Sequence, residues 1–469
     1  MLQHENGDIA AAAIALLSDL TDADEASAEL NDLKSQLVML LMHRGLVRVL
    51  LNALTGSLNE SNSDDETAAV YNVLSIIENL VDLNPAELFG KKELGDKGEG
   101  GSKSLQEDGM AGDLMGIVEW LTARVARRRV KGVELDSNTQ YASEILAVIL
   151  QSSGSHVRKR FVTDLQGVDA ALRSLAPYRS TPPATPEEAE FLENMFDVLC
   201  AVLMEDVAKT AFLENEGVEL MVLFLKGRTV ARTAALKCLD FATTRCAPAA
   251  AVCIEKGLLA LLFPIFMGKL KVVGEDKKKV RRHMEANKEE EEVRCVSIVS
   301  NLFVGIGSSL AVNQSVISTT VEESSHRERL VAKFVEKDGE KCRRLIEVMV
   351  VFAGRVASEE ARILQIFDGD SEEMKDEVLL AKMDAGLFTV QQCALVLAEL
   401  WASEDFALRR AIVTMLHEHE LTLKYLETTL MAYVETLGEE GGGKSGGNKD
   451  FKHHLERVRL LVRRFALEV

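Results

Sequence analysis

Three helical patterns follow one another between residues 206 and 242. The first, 207–214, is short and amphipathic, the second, 218–225, is almost wholly apolar, and the third, 229–242, repeats small or apolar residues every four positions. A glycine stands at each of the two breaks. Because a helix without a polar face needs neighbours that cover it, this order of short, buried and long helices predicts one unit of a repeat array.

The glycine that opens the apolar helix of this unit has counterparts along the chain. The five glycines are spaced by 71, 51, 50 and 40 residues, so the period is irregular and the excess residues are expected in loops between repeats. We therefore predict an all-α, armadillo/HEAT-type helical-repeat solenoid over residues 1–437, in which the third helix of each repeat lines a concave groove. The five positions are Gly45, Gly116, Gly167, Gly217 and Gly257.

Some segments depart from the repeat pattern. Residues 90–112 are rich in Gly, Lys, Glu and Asp and are predicted to be a disordered insertion. Residues 269–292 place a basic block before an acidic block, which fits one long solvated helix, and a nuclear-localisation signal at 277–282 is the alternative. The Gly-rich stretch 438–448 predicts a tether, and 449–469 predicts a C-terminal helix that caps the array.

Local signals set several helix boundaries. The sequence Thr-Pro-Glu-Glu at 185–188 has the pattern of a capping box, with threonine as the N-cap and proline at the first helical position. Residues 383–402 are predicted as a single long helix. The acidic residues at 366–376 predict a loop between helices.

Composition narrows the choice of partner. The chain has 54 Lys and Arg against 74 Asp and Glu, a formal net charge of −20. This balance disfavours direct nucleic-acid binding, because no excess of cations is available to replace phosphate counterions, and it favours basic protein partners. An acidic surface that only solvates the protein is the alternative.

Two further features bear on location. The seven cysteines are scattered and are predicted to be buried free thiols in a reducing compartment. The sequence shows no secretory signal, and its most hydrophobic window, 257–267, is about half the length that a bilayer requires. We expect no membrane partner.

No pattern of catalytic or cofactor-binding residues occurs in the sequence. It has no Cys-x-x-Cys pair, and no Gly-rich motif in it follows a predicted strand, as a P-loop, a dinucleotide fingerprint or a Gly-x-Ser-x-Gly elbow requires. The histidines at 417–419 and 453–454 lack further ligands at a suitable spacing, and adjacent residues point apart around a helix. We therefore expect no enzyme activity, no cofactor and no metal site.

The remaining possibility is that the surface of the groove recognises a partner protein. Carboxylates on the third helices can pair with Lys or Arg of an extended peptide. For each such side chain, a solvated helix face is the alternative interpretation. The candidate partner-binding residues are Glu78, Asn79, Glu144, Gln151, Glu193, Asn194, Asp197 and Asp240.

Four blocks, at 133–151, 187–204, 216–221 and 384–388, together resemble the beta-catenin-like family of armadillo-repeat proteins. The longest reads VELDSNTQYASEILAVILQ. The resemblance runs from about Ile9 to the final helix. It implies a nuclear, non-enzymatic scaffold or adaptor of pre-mRNA splicing. Members of the family join the Prp-nineteen-type complex and bind basic nuclear-localisation-like segments of partners, including a Myb-like splicing factor.

Two departures from known patterns matter. The family carries an N-terminal extension with a basic signal and capping helices, whereas this chain begins inside the first recognisable repeat. The asparagine ladder of peptide-carrying armadillo proteins is retained mainly at Asn79, with Gln151 and Met204 at equivalent places. An import-adaptor-like cargo receptor and a purely architectural scaffold with apolar docking are therefore kept as alternative functions, and self-association is left open.

Overall fold

The computed structural model describes residues 2, 7–22, 28–83, 105–127, 134–227, 231–269, 285–307, 321–366, 372–403, 405–440 and 449–468. All regular structure in these ranges is helical, and they contain no strand. The chain divides into two compact units, which are Met1–Ala234 (unit 1) and Ala235–Val469 (unit 2).

In the described part of unit 1, four long helices alternate with connecting helices of unequal length, which are one of 16 residues with one of 7, then a single one of 21, then two of 9. A π-helical turn, Ala53–Ser57, and a 3-10 turn, Ala176–Arg179, extend two of the short helices. The boundary between the units falls within α12 (Arg232–Thr243). The helices before it are α1 (Gly7–Thr21), α2 (Ala28–His43), α3 (Leu46–Asn52), α4 (Asp64–Leu83), α5 (Leu105–Val125), α6 (Ser137–Ser152), α7 (Ser155–Thr163), α8 (Gly167–Leu175), α9 (Pro186–Val202), α10 (Asp206–Glu214) and α11 (Gly217–Gly227).

The core of unit 1 is built from α1, α4, α6 and α9, which we call the third helices. They pack in chain order, α1 on α4, α4 on α6, and α6 on α9. Each contributes apolar side chains with almost no exposed surface, such as Ile14, Val73, Ile145 and Val198. The three-helix unit predicted at 206–242 is present, because α10 and α11 precede α12 as a short and an apolar helix.

The predicted capping box at the start of α9 forms with one change. The side chain of Thr185 accepts a hydrogen bond from the backbone N–H of Glu188 at 3.3 Å. The Glu188 carboxylate returns to the backbone N–H of Ala184, at 2.8 Å, rather than to that of Thr185. The first interaction satisfies a donor that the first helical turn leaves unpaired, and the second ties the residue before the N-cap to the helix.

Four of the five glycines predicted to lie at breaks between helices do lie there, in two different arrangements. The prediction for the fifth is wrong. Gly45 and Gly257 take left-handed φ values of 84° and 81° between helices. At two other breaks the left-handed residue comes immediately before the glycine, as Gln166 and Glu216. Gly116 lies inside α5 and breaks nothing.

Gly167 and Gly217 serve close packing. A Cβ added at Gly167 would lie 2.2 Å from the ring of Phe161, and one added at Gly217 would lie 2.4 Å from the ring of Phe212. Both rings are fully buried and belong to the preceding short helix. The glycines therefore let the apolar helix turn back onto an aromatic ring, which is a constraint of space and not of φ.

Several helix boundaries differ from the sequence-based ones. The predicted single helix at 383–402 is interrupted at Gly386, whose φ is 100°. Residues 105–112 are helical and belong to α5, so they are not part of the predicted insertion, and 90–104 lie outside the described residues. Residues 372–376, predicted as loop, form the start of the next helix.

Unit 2 is centred on one almost entirely buried helix. Every residue from Thr389 to Trp401 is buried, and this helix contacts the helices Lys288–Gly307, Val321–Ile366 and Leu423–Glu440. Residues 336–339 interrupt the second of these with non-helical backbone. The helices of the unit after α12 are α13 (Ala247–Glu255), α14 (Leu259–Phe266), α15 (Lys288–Gly307), α16 (Val321–Ile366), α17 (Glu372–Asp384), α18 (Leu387–Trp401), α19 (Phe406–Glu418), α20 (Leu423–Glu440) and α21 (Lys449–Glu468).

The acidic end of the charged segment 269–292 is more than a solvated helix face. It forms the first turns of α15, where Glu289 pairs with Arg355 at 2.7 Å and Glu292 pairs with Arg344 on α16. Because α16 supplies both cations, the acidic run at the start of α15 is paired with that neighbouring helix. The basic block, at 277–282, lies outside the described residues.

A buried charge cluster holds the last helix against unit 2. Glu399 on α18 is fully buried and pairs with Arg457 on α21 at 2.7 Å and with Arg327 on α16 at 2.9 Å. Burial alone would raise the pKa of Glu399, but the two guanidinium groups outweigh it and hold that pKa below the usual value. The glycine-rich residues 441–448 lie outside the described part of the chain.

In the described residues, no single helix has both the length and the apolar character needed to cross a membrane. Two bent pairs meet that test by length and composition only when their helices are joined. They are Asn31–His43 with Leu46–Ser57, bent by 69°, and Ala247–Glu255 with Leu259–Phe266, bent by 90°.

The packing of Gly217 predicts a sharp contrast between two glycines. We expect Gly217→Ala to destabilise the protein by about 2–3 kcal/mol, because the buried ring of Phe212 cannot move away from the new methyl group. Gly112→Ala, in α5 with nothing within 4 Å, should stabilise by about 0.5–1 kcal/mol through helix propensity. Urea unfolding followed by circular dichroism measures both, and equal effects would contradict the packing argument.

Removing the charge of Glu399 should weaken the packing of α21 against the rest of unit 2. Glu399→Gln keeps the side-chain shape but leaves two largely buried guanidinium groups uncompensated, so we expect a loss of about 3 kcal/mol and faster amide hydrogen exchange in α21. Because the folded-state pKa is lowered, the carboxylate contributes stability above the unfolded-state pKa, and this contribution disappears as the pH falls through the folded value. The difference in unfolding free energy between wild type and Glu399→Gln should therefore become smaller as the pH falls.

The matched control for this substitution is Glu418→Gln. Glu418 forms an exposed pair with Arg343, which solvent screens, so its loss should change the stability and the hydrogen exchange of α21 little. Unchanged hydrogen exchange of α21 in Glu399→Gln would show that the cluster does not hold the helix.

Candidate protein-binding surface

The third helices of unit 1 carry acidic residues and no basic ones. Within α1, α4, α6 and α9 there are two, five, one and five Asp or Glu residues, and these four helices contain no Lys, Arg or His. The short helix α7, by contrast, carries Arg158, Lys159 and Arg160 in succession. Charge is thus separated by helix position within the repeat, which a random acidic composition would not produce.

Neighbouring third helices bring these carboxylates onto one surface. The side-chain amide of Gln140 on α6 donates to Glu190 on α9 at 3.0 Å and lies 3.5 Å from Glu144, one turn further along α6. On α9, Glu193 and Asp197 follow Glu190 at helical spacing. We call Glu78, Glu144, Glu190, Glu193 and Asp197 the acidic face.

Two of the predicted asparagines tie adjacent third helices together. The amide of Asn79 on α4 donates to the hydroxyl of Thr21 on α1 at 3.1 Å. The amide of Asn194 on α9 donates to the hydroxyl of Ser143 on α6, also at 3.1 Å. Both donors are half-buried, so their first role in the structure is to hold the helices in register.

Tyrosines that the sequence analysis missed lie beside Glu78. The hydroxyl of Tyr141 donates to the Glu78 carboxylate, and the ring of Tyr141 packs against that of Tyr71 with 4.8 Å between centroids. Burial, together with the neighbouring Glu78, raises the pKa of Tyr141 well above its usual value, so the phenol stays protonated. The spacing of Tyr71 and Glu78, seven residues apart on α4, is the sequence signal that places them on one helix face.

Exposure separates the predicted residues of unit 1 further. Glu193 and Gln151 are exposed, and Glu144 and Asp197 are half-buried. Glu78 is half-buried and already bonded to Tyr141. Glu193, Gln151 and Glu144 are therefore the predicted residues best placed to meet a partner.

Asp240 does not belong to this surface. It lies in unit 2, is buried, and accepts hydrogen bonds from Ser297 at 2.6 Å, Arg294 at 3.0 Å and Asn301 at 3.2 Å. Burial raises its pKa, and the hydrogen bonds and the Arg294 charge oppose that rise only in part. The third-helix periodicity placed Asp240 correctly on its helix, but it could not show that α15 covers it.

No group of three or more His, Cys, Asp and Glu side chains in the described residues is placed to hold a metal ion. Six of the seven cysteines are buried, and Cys246 is half-buried. Burial raises the pKa of Cys342 to about 12, so this thiol stays protonated.

The fold and the surface define the class of the protein, which is an all-α armadillo-type repeat protein with the build of a protein-interaction scaffold. The sequence matches the model of one family over residues 1–431, and the chain belongs to that family, described as "Catenin-beta-like, Arm-motif containing nuclear". The family resemblance seen in the sequence is confirmed. Proteins of this family are generally non-enzymatic.

Curated relatives align along nearly the whole chain. Beta-catenin-like protein 1 of Rattus norvegicus is 28% identical over 472 residues, which are 98% of this chain and 73% of the relative. The homolog from Schizosaccharomyces pombe is 30% identical over 442 residues, covering 94% of this chain and 67% of its own. A solved structure concerning the interaction of cadherin with beta-catenin aligns over 99% of this chain and 98% of its own, at 13% identity and a TM-score of 0.37.

Because Asp240 is buried and hydrogen-bonded, replacing it should destabilise the folded protein. Asp240→Ala leaves Arg294, Ser297 and Asn301 without their common acceptor, so we expect a destabilisation of about 3 kcal/mol. Asp376→Ala, an exposed aspartate in the same unit, should stay within about 0.5 kcal/mol of wild type. Denaturant unfolding compares the two, and a stable Asp240→Ala protein would return Asp240 to the list of partner-binding candidates.

Proposed function

We propose that the protein is a scaffold of the pre-mRNA splicing machinery that binds basic, nuclear-localisation-like segments of partner proteins on the acidic face of unit 1. The observation that carries this proposal is the complete absence of basic residues from α1, α4, α6 and α9. An extended segment lying across these helices meets carboxylates at each step and no repelling cation.

Membership of this family supports a nuclear location for the proposed function. Its description is that of nuclear Arm-motif proteins, and the curated relatives are beta-catenin-like proteins. The resemblance implies the Prp-nineteen-type complex and a Myb-like splicing factor as partners, and it implies that the Myb-like factor binds through a basic segment. Location in the nucleus is part of the same proposal.

The two alternative functions predict different contacts. An import-adaptor-like receptor grips the peptide main chain through a row of asparagines, but Asn79 and Asn194 here are bonded to Thr21 and Ser143. An architectural scaffold binds partners by apolar contact on helix faces, so its binding depends little on salt. Charge-driven binding weakens steeply as salt rises, because exposed charges are screened within about 10 Å at 0.1 M ionic strength.

A peptide titration tests the proposal. Fluorescence anisotropy of a labelled basic nuclear-signal-like peptide should show micromolar or tighter binding at low salt that weakens at high salt. The double variant Glu193→Lys/Asp197→Lys should lower the affinity at least about tenfold, because two attractions become repulsions.

The control carries the same change of charge elsewhere in unit 1. Glu119 on α5 and Glu214 on α10 are exposed carboxylates outside the third helices. Glu119→Lys/Glu214→Lys should bind within about twofold of wild type, apart from a small long-range effect of net charge. Equal losses in both double variants would mean that net charge, and not the acidic face, attracts the peptide.

A further inference from the structure

A groove in unit 2 lies between the C-terminal part of α16 and α17. Its volume is about 790 Å³, and its walls come from Val351 to Ile363 on α16 and from Glu377 to Ala385 on α17. It shares no residue with the acidic face.

The lining residues recur at helical spacing on both walls. On α16 they fall every three or four positions from Val351 to Ile363, and on α17 from Glu377 to Ala385. Each helix therefore presents one face, and the longer wall extends roughly 18 Å at 1.5 Å per residue. That length matches a helical segment of about three turns, because helices pack by laying side-chain ridges into such grooves.

Exposed apolar residues line both walls of the groove, with charged and polar residues among them. Val351 on one wall and Leu380 on the other are 52% and 59% exposed, which is a large exposure for apolar residues that line one groove. Gly354 has open space above it, since an added Cβ would meet nothing within 4 Å. A partner helix can thus approach the α16 backbone closely.

Charges on the two rims differ in a way that selects the partner. On the α16 rim, Arg355 pairs with Glu289 and Arg362 pairs with Glu359, each at 2.7 Å. On the α17 rim, Glu377 and Asp384 are both exposed, and these two carboxylates have no ion-pair partner among the described residues.

We propose that this groove binds an amphipathic helix of a partner protein that carries an apolar stripe flanked by Lys or Arg. The apolar stripe covers Val351 and Leu380, and two basic residues about two turns apart lie against Glu377 and Asp384. A helix with acidic flanks would face two like charges, so the rim excludes it. This surface would let unit 2 hold a folded helix while unit 1 holds an extended segment.

The test uses three synthetic helical peptides of equal length. Each has the same leucine stripe over about three turns, and the residues flanking it are Lys, Gln or Glu. Binding is measured by anisotropy on the full chain carrying Glu193→Lys/Asp197→Lys, so that the acidic face does not contribute and a failure of either proposal can be told from the other. We expect only the Lys-flanked peptide to bind well.

Matched substitutions locate the site. Leu380→Glu should weaken binding at least about tenfold, whereas Leu364→Glu, which changes an equally exposed leucine of α16 outside the groove, should not. Glu377→Lys should weaken binding about fivefold or more, whereas its neighbour Asp376→Lys should leave it within about twofold.

Three results would overturn the proposal. They are no binding by any peptide, binding that is indifferent to Leu380→Glu, and a concentration-dependent dimer of the free protein that Leu380→Glu abolishes. The last would show that a second copy of the chain occupies the groove, and analytical ultracentrifugation measures it.

Discussion

The structure of unit 1 depends on the burial of helices that are too apolar to remain in water alone. The third helices α1, α4, α6 and α9 carry fully buried side chains along their length, and each packs against a neighbouring third helix of the unit. Burial of apolar surface contributes about 25 cal/mol per Å², so these contacts stabilise each repeat through its neighbours. The same packing fixes which side chains lie between helices and which reach solvent, so the acidic face is a by-product of the packing.

Polar side chains on these helices divide between two tasks. Asn79 and Asn194 hold neighbouring helices together, and Tyr141 does the same through Glu78. Other carboxylates on the same helices, such as Glu193, are exposed to solvent. A surface built in this way keeps a fixed spacing between charges, because the bonded residues set the distance between helices on which the exposed ones stand.

The sequence predicted the repeat class and most helices, because these follow from short-range periodicity and from glycines between helices. It did not separate α17 from α18 at Gly386, because that break depends on how Phe352, distant in the chain, packs against the turn. The same dependence on residues distant in the chain explains why the candidate partner-binding residues were not all placed correctly. Periodicity placed Glu193 and Asp240 on helix faces alike, but only the contacts with α15 show that Asp240 is covered. Pairings across 50 or more residues, such as Asn194 with Ser143, leave no local signal.

The buried cluster at Glu399 has a consequence for how the chain is made. Arg457 lies 58 residues after Glu399, beyond α19 and α20, and near the end of the chain. During synthesis, α18 is complete while its second cation has not yet been added, and a buried carboxylate with half its partners is unfavourable. Unit 2 therefore cannot reach its final packing until the C-terminal helix has left the ribosome, whereas unit 1 has all its contacts earlier. The two halves of the protein are thus expected to mature at different times, with the acidic face formed before the groove in unit 2 is stable.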